Sequence, residues 1–200
     1  MIDKIIANKP DSIFDIIPEA MYAMDLNTNY ARSGTCWEYN YAISKAIQPK
    51  SYLEIGCRYG GSLVPSMIAS EELEYAEAWD IEQYGDNAIS SANVRQYYTG
   101  HAKWEINKIN SQEIQELPRW FDLIFIDGDH SYEGKMHDLR MTVGKCKYVF
   151  IDDASYLVDV KRAIYTFIDE IGADGWGRKS IIDWATYIPC FRGGYIIKYS

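Results

Sequence analysis

Long hydrophobic runs are missing from this chain of 200 residues: none approaches the ~18 consecutive apolar residues that a membrane span requires. The N-terminus, MIDKIIANKP, has no apolar core followed by a small-residue cleavage site, so export is not expected. Cysteine is scarce. Cys36, Cys57, Cys146 and Cys190 are scattered without a Cys-x-x-Cys pair, and they read as reduced cytoplasmic thiols rather than a disulfide framework or a zinc site. Positive charge is also short, with 20 basic against 29 acidic residues and a net charge of −9. That field repels phosphate backbones and anionic lipid, so neither nucleic acid nor a membrane is an expected partner. Internal repeats, low-complexity tracts and Pro/Gly/Ser linkers are absent too. One domain is therefore expected over 1–200, with 1–34 as an N-terminal helical cap and 35–200 as the core.

The hydrophobic fraction of 48% suits a packed globule. A chain of this length buries roughly 70% of its unfolded surface, enough for a sheet covered on both faces. In the cap, Met21, Tyr22 and Met24 form a small apolar cluster. A helix is expected from Thr35 to Ile47, with Trp37 and Tyr41 one turn apart and Pro49 as its stop. The strand SYLEIG meets the turn CRYGG, and a helix begins near Ser62, an N-cap residue type, with Pro65 in its first turn. Further strands are YAEAWD, Lys103 to Ile109, DLIFID and YVFID. Tyr132, Met136, Leu139 and Val143 draw one helical face, and Val160, Ile164, Phe167, Ile168 and Ile171 another. Two strand-like runs, Ile181 to Tyr187 and Gly194 to Tyr199, close the chain as an antiparallel pair at a sheet edge.

Strands alternating with helices imply an α/β fold with right-handed crossovers and a mainly parallel sheet, whose ligands sit beyond the carboxyl ends of the strands. Four such ends carry acid: Glu54, Asp80, Asp127 and Asp152. EIGCRYGGS, residues 54–62, is a strand, a glycine turn and a helix start in succession. Gly56 permits a tight turn, Gly60 and Gly61 let a ligand approach the backbone, and the helix N-terminus offers free N–H groups. Asp80, at the end of the next strand, can accept both hydroxyls of a ribose. The dinucleotide fingerprint is G-x-G-x-x-G, whereas this turn is G-x-x-x-G-G. The wider turn, with Glu54 before it, suits a nucleoside carrying an amino-acid head, as S-adenosylmethionine does.

Asp127, Asp129, Asp152 and Asp153 end two successive strands. Carboxylates that converge repel one another, and a divalent cation removes the conflict; oxygen donors favour Mg²⁺, Mn²⁺ or Ca²⁺ over zinc. Helix capping accounts for one acid per helix, but not for a doublet and a D-x-D pair. His130 is a general base, a metal ligand or a neighbour of the capping Ser131, and Asp129 competes for the role of base. His101 and His137 read as surface residues.

E-I-G-x-x-x-G-G-S, an acid ending the second strand, F-D-L-I-F-I-D-G-D-H-S-Y-E and I-D-D together resemble class I S-adenosylmethionine-dependent methyltransferases. The nearer subset is the small metal-dependent O-methyltransferases that include macrocin-type sugar enzymes, with catechol-type enzymes more distant. The similarity spans roughly residues 35–170. It implies a Rossmann-like, seven-stranded, mainly parallel sheet with helices on both faces and an antiparallel C-terminal hairpin. It also implies that Glu54, Gly56, Gly60, Gly61 and Ser62 cradle the methionine end of the cofactor and that Asp80 holds the ribose. Asn110 and Ser111 fall near the adenine, with Asn110 replacing the acid of many relatives. Asp127, Asp152 and Asp153 would hold Mg²⁺, and Asp129 or His130 would be the base.

The expected activity is methyl transfer to a hydroxyl of a small molecule or sugar, with walls supplied by residues 1–34 and the stretch around Trp176, Trp184 and Tyr187. Homo-oligomerisation is left open. Three rivals stand beside this reading. One is a haloacid-dehalogenase-type phosphatase, with Asp127 as nucleophile and Asp129 as acid/base. Another is a non-catalytic S-adenosylmethionine binder, and the third is an NAD-dependent oxidoreductase.

Overall fold

Alternation along each strand decides what covers each face of the sheet. In the computed structural model, which describes residues 1–17, 36–81, 86–172, 181–190 and 192–200, the strands are β1 (Ser51–Ile55), β2 (Tyr75–Asp80), β3 (Lys103–Lys108), β4 (Phe121–Ile126), β5 (Cys146–Ile151), β6 (Ile182–Ile188) and β7 (Gly194–Tyr199). Tyr52, Phe125 and Phe150 face one cluster of buried side chains, which includes Ile43, Val64 and Met67. Leu53, Ile55, Ile124, Ile126, Val149 and Ile151 face the other, with Met136, Leu139, Ile164 and Phe167. This two-residue period leaves both faces apolar, and each is closed by helices.

The first face carries α1 (Ile2–Asn8), α2 (Cys36–Ile47) and α3 (Leu63–Ala69); the second carries α5 (Tyr132–Thr142) and α6 (Val158–Gly172). The expected periodic positions of α5 and α6 fall on the packed side, Met136 and Leu139 in one and Val160, Ile164 and Phe167 in the other. Between β2 and β3 lies α4 (Asp86–Tyr97), which the sequence does not announce. Val94 is its one fully buried hydrophobic side chain among the described residues, and Ser90 is buried beside it, so no apolar stripe marks this helix. None of the described helices is long and apolar enough to cross a membrane.

The seven strands run in the order β3-β2-β1-β4-β5-β7-β6. β1 to β5 are mutually parallel, while β7 pairs antiparallel with both β5 and β6, which is the expected edge hairpin. The chain winds outward from β1 to β3 and then returns to place β4 on the other side of β1. Connections leave β1 and β4 in opposite directions, opening a crevice at their carboxyl ends. The Asp127 N–H donates to the Ile55 carbonyl at 2.8 Å, so the glycine turn after β1 and the acids after β4 begin side by side. The expected Met21, Tyr22 and Met24 cluster, residues 18–34 of the cap, and Trp176 lie outside the described residues.

Candidate active site

The glycine turn is shaped by contact as much as by conformation. Gly56 has φ +89°, and a Cβ there would lie 2.4 Å from the Asp127 carbonyl oxygen, so no larger residue fits while β4 ends where it does. Gly60 also has positive φ, +83°, and a Cβ would crowd the Ser90 hydroxyl at 2.9 Å. Glu54 lies within β1, fully buried. Its two carboxyl oxygens accept hydrogen bonds from the Tyr52 hydroxyl at 2.7 Å and the Ser62 hydroxyl at 2.5 Å. Ser62 therefore does not cap α3 with its side chain, contrary to expectation; the nearby carboxyl group has captured its hydroxyl. Burial pushes the Glu54 carboxyl up to about 8; its two hydroxyl donors oppose the rise, and the charges of Asp127 and Asp80 add to it.

Asp80 ends β2 and is buried over the same turn, where one oxygen accepts the Arg58 backbone N–H at 2.8 Å. Gly61 completes the turn beside it. Ile109, just past β3, donates its N–H to the Asp80 carbonyl at 3.0 Å, which carries Asn110 and Ser111 to the neighbouring strand end. Asn110 is occupied there as a cap: its Oδ1 accepts the Gln112 N–H and its Nδ2 donates to Glu113, each at 3.1 Å. The carbonyls of Ser111 and Ile114 lie 3.0 and 2.9 Å from His137 Nε2. His137, expected at the surface, is thus a half-buried anchor of this turn, whereas His101 is exposed as expected.

The second group of acids stands at the ends of β4 and β5. His130 Nε2 lies 3.3 Å from Asp127 Oδ1 and 3.3 Å from Asp153 Oδ2. One donor atom from each of Asp127, His130 and Asp153 fits within 4.8 Å of the other two. Asp153 adopts φ +60°, a left-handed conformation rare for a residue with a Cβ. Its carboxylate is fully buried, and its Oδ2 has no hydrogen bond among the described residues. Arg192, on the turn before β7, reaches Asp153 Oδ1 at 3.4 Å. Burial, then the Asp127 charge, raises the Asp153 carboxyl, while Arg192, His130 and Lys135 pull it down. The hydrogen bond to Asp127 raises the His130 imidazole, with burial opposing.

Asp152 does not join this group, against the expected ligand set. Its Oδ1 accepts from the Cys36 thiol at 2.5 Å and from the Asp153 N–H at 2.7 Å, so consecutive acids point to different partners. Burial, followed by the charges of Asp127 and Asp153, pushes Asp152 up to about 7. Asp129 is turned outward onto α5, where its Oδ1 accepts the Ser131 N–H at 2.7 Å and Ser131 in turn caps Gly134. The geometry around Asp127, His130 and Asp153 fits a dication: two carboxylates and one imidazole, with one of the carboxylate oxygens, Asp153 Oδ2, buried and without a hydrogen bond among the described residues.

Sequence reading did not single out Tyr52, Arg192, Lys135 or Cys36. Lys135 is wholly buried, and its Nζ has no hydrogen-bond partner among the described residues. Its charge acts on His130, Asp138 and Asp153. A lysine beside Met136 on an otherwise inward face was the available signal. Trp184, partly buried, packs against Tyr148 at 6.3 Å between ring centres. Tyr187 is exposed and, with Ser155, Lys161, Tyr165 and Tyr195, lines a cavity of about 330 Å³.

The methyltransferase-domain family matches residues 53–154, which run from β1 through both acid groups. No curated protein matches the sequence. Among solved structures, the chain is similar to the SAH-bound methyltransferase PaMTH1 of Podospora anserina, with TM-score 0.60 and 18% identity over 82% of this chain and 77% of that one. It is also similar to an O-methyltransferase of Bacillus cereus in complex with SAH, with TM-score 0.64 and 14% identity over 94% and 95% of the two chains. TomG of Streptomyces achromogenes, an O-methyltransferase involved in tomaymycin synthesis and solved with SAM, gives TM-score 0.64 and 14% identity over 96% and 91%. At these identities the likeness is one of fold, and it agrees with the strand order and the final hairpin. The dehalogenase-type reading of Asp127 and Asp129 falls with it. The chain belongs to the methyltransferase-domain family.

Proposed function

We propose that the protein is an S-adenosylmethionine-dependent O-methyltransferase acting on a hydroxyl of a small molecule or sugar, with a divalent cation, Mg²⁺ by preference, at Asp127 and Asp153. One observation carries this reading: the glycine turn with Glu54 and Asp80, and the group of Asp127, His130 and Asp153, lie at the same carboxyl end of the sheet, where the Asp127 N–H bonds the Ile55 carbonyl across the β1–β4 crevice. When bound, the cofactor supplies an electrophilic sulfonium methyl, and a cation supplies charge that acidifies a substrate hydroxyl.

The chain's own residues account for the rest. Gly56, Gly60 and Gly61 keep side chains out of the turn, so that backbone N–H groups can face the methionine carboxylate. Glu54, already held by Tyr52 and Ser62, offers a carboxyl group to the methionine ammonium. Asp80 faces the ribose, and Ser111 stands at the adenine side; Asn110 acts there by shaping the turn rather than by its amide. With the cation held by Asp127 and Asp153 alone, the imidazole of His130, set beside both carboxylates, is left to take the hydroxyl proton. Asp129 serves α5 instead.

The test is a calorimetric titration with S-adenosylmethionine, with and without Mg²⁺, followed by an acceptor screen weighted towards sugars. Cofactor binding and chelator-sensitive methyl transfer to a hydroxyl are expected. Tight cofactor binding with no transfer across a broad acceptor panel would make the protein a non-catalytic binder, and retention of NAD in place of S-adenosylmethionine would make it an oxidoreductase.

A further inference from the structure

We propose that Cys36, Cys190 and Asp152 form a second metal site, selective for a thiophilic dication of the zinc type. The two Sγ atoms and a carboxylate oxygen of Asp152 lie within 4.8 Å of one another. All three residues are buried, with 5%, 8% and 7% of their surfaces exposed. They come from three separate parts of the fold: the first residue of α2, the turn between β6 and β7, and the end of β5. The turn is held by its own backbone, with Cys190 N–H donating to Ile188 and Gly193 N–H to Cys190, each at 2.9 Å. The Cys36 thiol already points at the Asp152 carboxylate and donates to it.

Donor chemistry separates this site from the one beside it. Asp127, His130 and Asp153 offer oxygen and nitrogen, whereas Cys36 and Cys190 offer sulfur, which prefers a softer ion. Tetrahedral zinc holds sulfur at ~2.3 Å and oxygen at ~2.0–2.2 Å, so its donors stand roughly 3.5–4 Å apart. A spread under 4.8 Å meets that after small side-chain rotations. Three protein donors leave one position for water or another ligand. Loading exchanges both thiol protons, and any proton on Asp152, for the ion. The ion then ties α2 and the β6–β7 turn to the end of β5, beside the acids of the crevice. This inference stands whether or not the protein transfers methyl groups.

The test uses the full chain, reduced and stripped of metal, titrated with Co²⁺ as a spectroscopic probe. A sulfur-to-cobalt charge-transfer band saturating at one ion per chain is expected. The band should persist in Asp127→Asn, which removes the neighbouring group, and in Cys146→Ser, a buried thiol bonded instead to the Thr142 carbonyl. In Cys36→Ser and Cys190→Ser the affinity should fall by ~100-fold or more, since losing an outer-shell partner alone costs about 10–100-fold. Zinc should also raise the melting temperature of the wild type and not that of Cys190→Ser. If either serine variant fails to fold, X-ray absorption on zinc-loaded wild type decides: two sulfur neighbours support the site, and a shell of oxygen and nitrogen alone overturns it. Absence of the charge-transfer band, or its survival in Cys36→Ser, overturns it equally. So does a Cys36–Cys190 disulfide whose reduction leaves the protein unable to take up the ion.

Discussion

At the ends of β1 and β2 the chain answers its own acids: Glu54 receives two hydroxyl donors and Asp80 a backbone N–H, all within 2.5–2.8 Å. At the ends of β4 and β5 the acids have looser company. Asp127 and Asp153 have His130 and Arg192 at 3.3–3.4 Å, and one buried oxygen of Asp153 has no hydrogen bond among the described residues. Satisfied groups hold a shape, whereas unsatisfied buried charge invites a partner. The first region is thus a preformed cradle that needs only a ligand of matching shape. The second has a charge surplus that the proposed cation would complete. Substitutions should therefore act differently on the two sides, on binding and stability in one and on turnover in the other.

The largest effect is expected on the acid side. Asp153→Asn removes a charge from the cation group and should lower kcat/KM by on the order of 1,000-fold, about 4 kcal/mol of transition-state stabilisation. Calorimetric affinity for S-adenosylmethionine should stay within a few-fold. A matching loss of cofactor affinity would merge the two regions into one and end the comparison. Gly56→Ala comes next and strikes the seam between them. Its Cβ would sit 2.4 Å from the Asp127 carbonyl at a φ of +89°, so denaturant unfolding should show a loss of about 3 kcal/mol or more. Gly144→Ala is the control: its φ is also positive, but nothing lies within 4 Å, so only the backbone penalty of about 1 kcal/mol is expected.

Within the acid side, Asp129 and His130 are adjacent candidates for one role. His130→Gln should cost on the order of 100-fold in turnover and little in melting temperature. Asp129→Ala should do the reverse, costing about 1 kcal/mol of stability through the lost bond to the Ser131 N–H. If the two variants exchange these outcomes in parallel turnover and melting assays, Asp129 is the base.

Much of this was legible in the chain. The near-continuous apolar runs FDLIFI and CKYVFI, the alternation of strands with helices, the glycine turn and the acids at strand ends were enough for the parallel sheet, the edge hairpin and the crevice. Helix α4 was not legible, because it packs through Val94 and the small Ser90 rather than through an apolar stripe. Nor was the divergence of Asp152 from Asp153. One residue's left-handed φ and the distant thiol of Cys36 decide it, and neither is written in I-D-D. Ser62 and Asn110 show the same limit from the other side. Ser62 was read by residue type and Asn110 through the resemblance, and each had its side chain claimed by a neighbour that only the folded chain supplies.

The last expected effect is the most diagnostic of the cradle. Glu54 sits at about 8 in the folded protein against an ordinary 4.5, chiefly because it is buried. Folded chains therefore keep a proton that unfolded chains have lost. The protonated fold carries no penalty below about pH 4.5, and stability falls as pH rises from there to about 8. Glu54→Gln copies the protonated carboxyl and removes that slope. At pH 7 the part of the linkage accumulated since about pH 4.5 is roughly 3 kcal/mol, from about 1.4 kcal/mol per pH unit. An amide fits the Tyr52 and Ser62 hydroxyls less well, so a net gain of about 2 kcal/mol is expected in the ligand-free protein. The same variant loses the charge meant for the methionine ammonium, and its cofactor affinity should drop by on the order of tenfold. Melting curves of the two proteins should therefore separate between about pH 5 and pH 8. Parallel curves would mean that Glu54 is already ionised in the empty cradle, with a compensating cation in place before any ligand arrives.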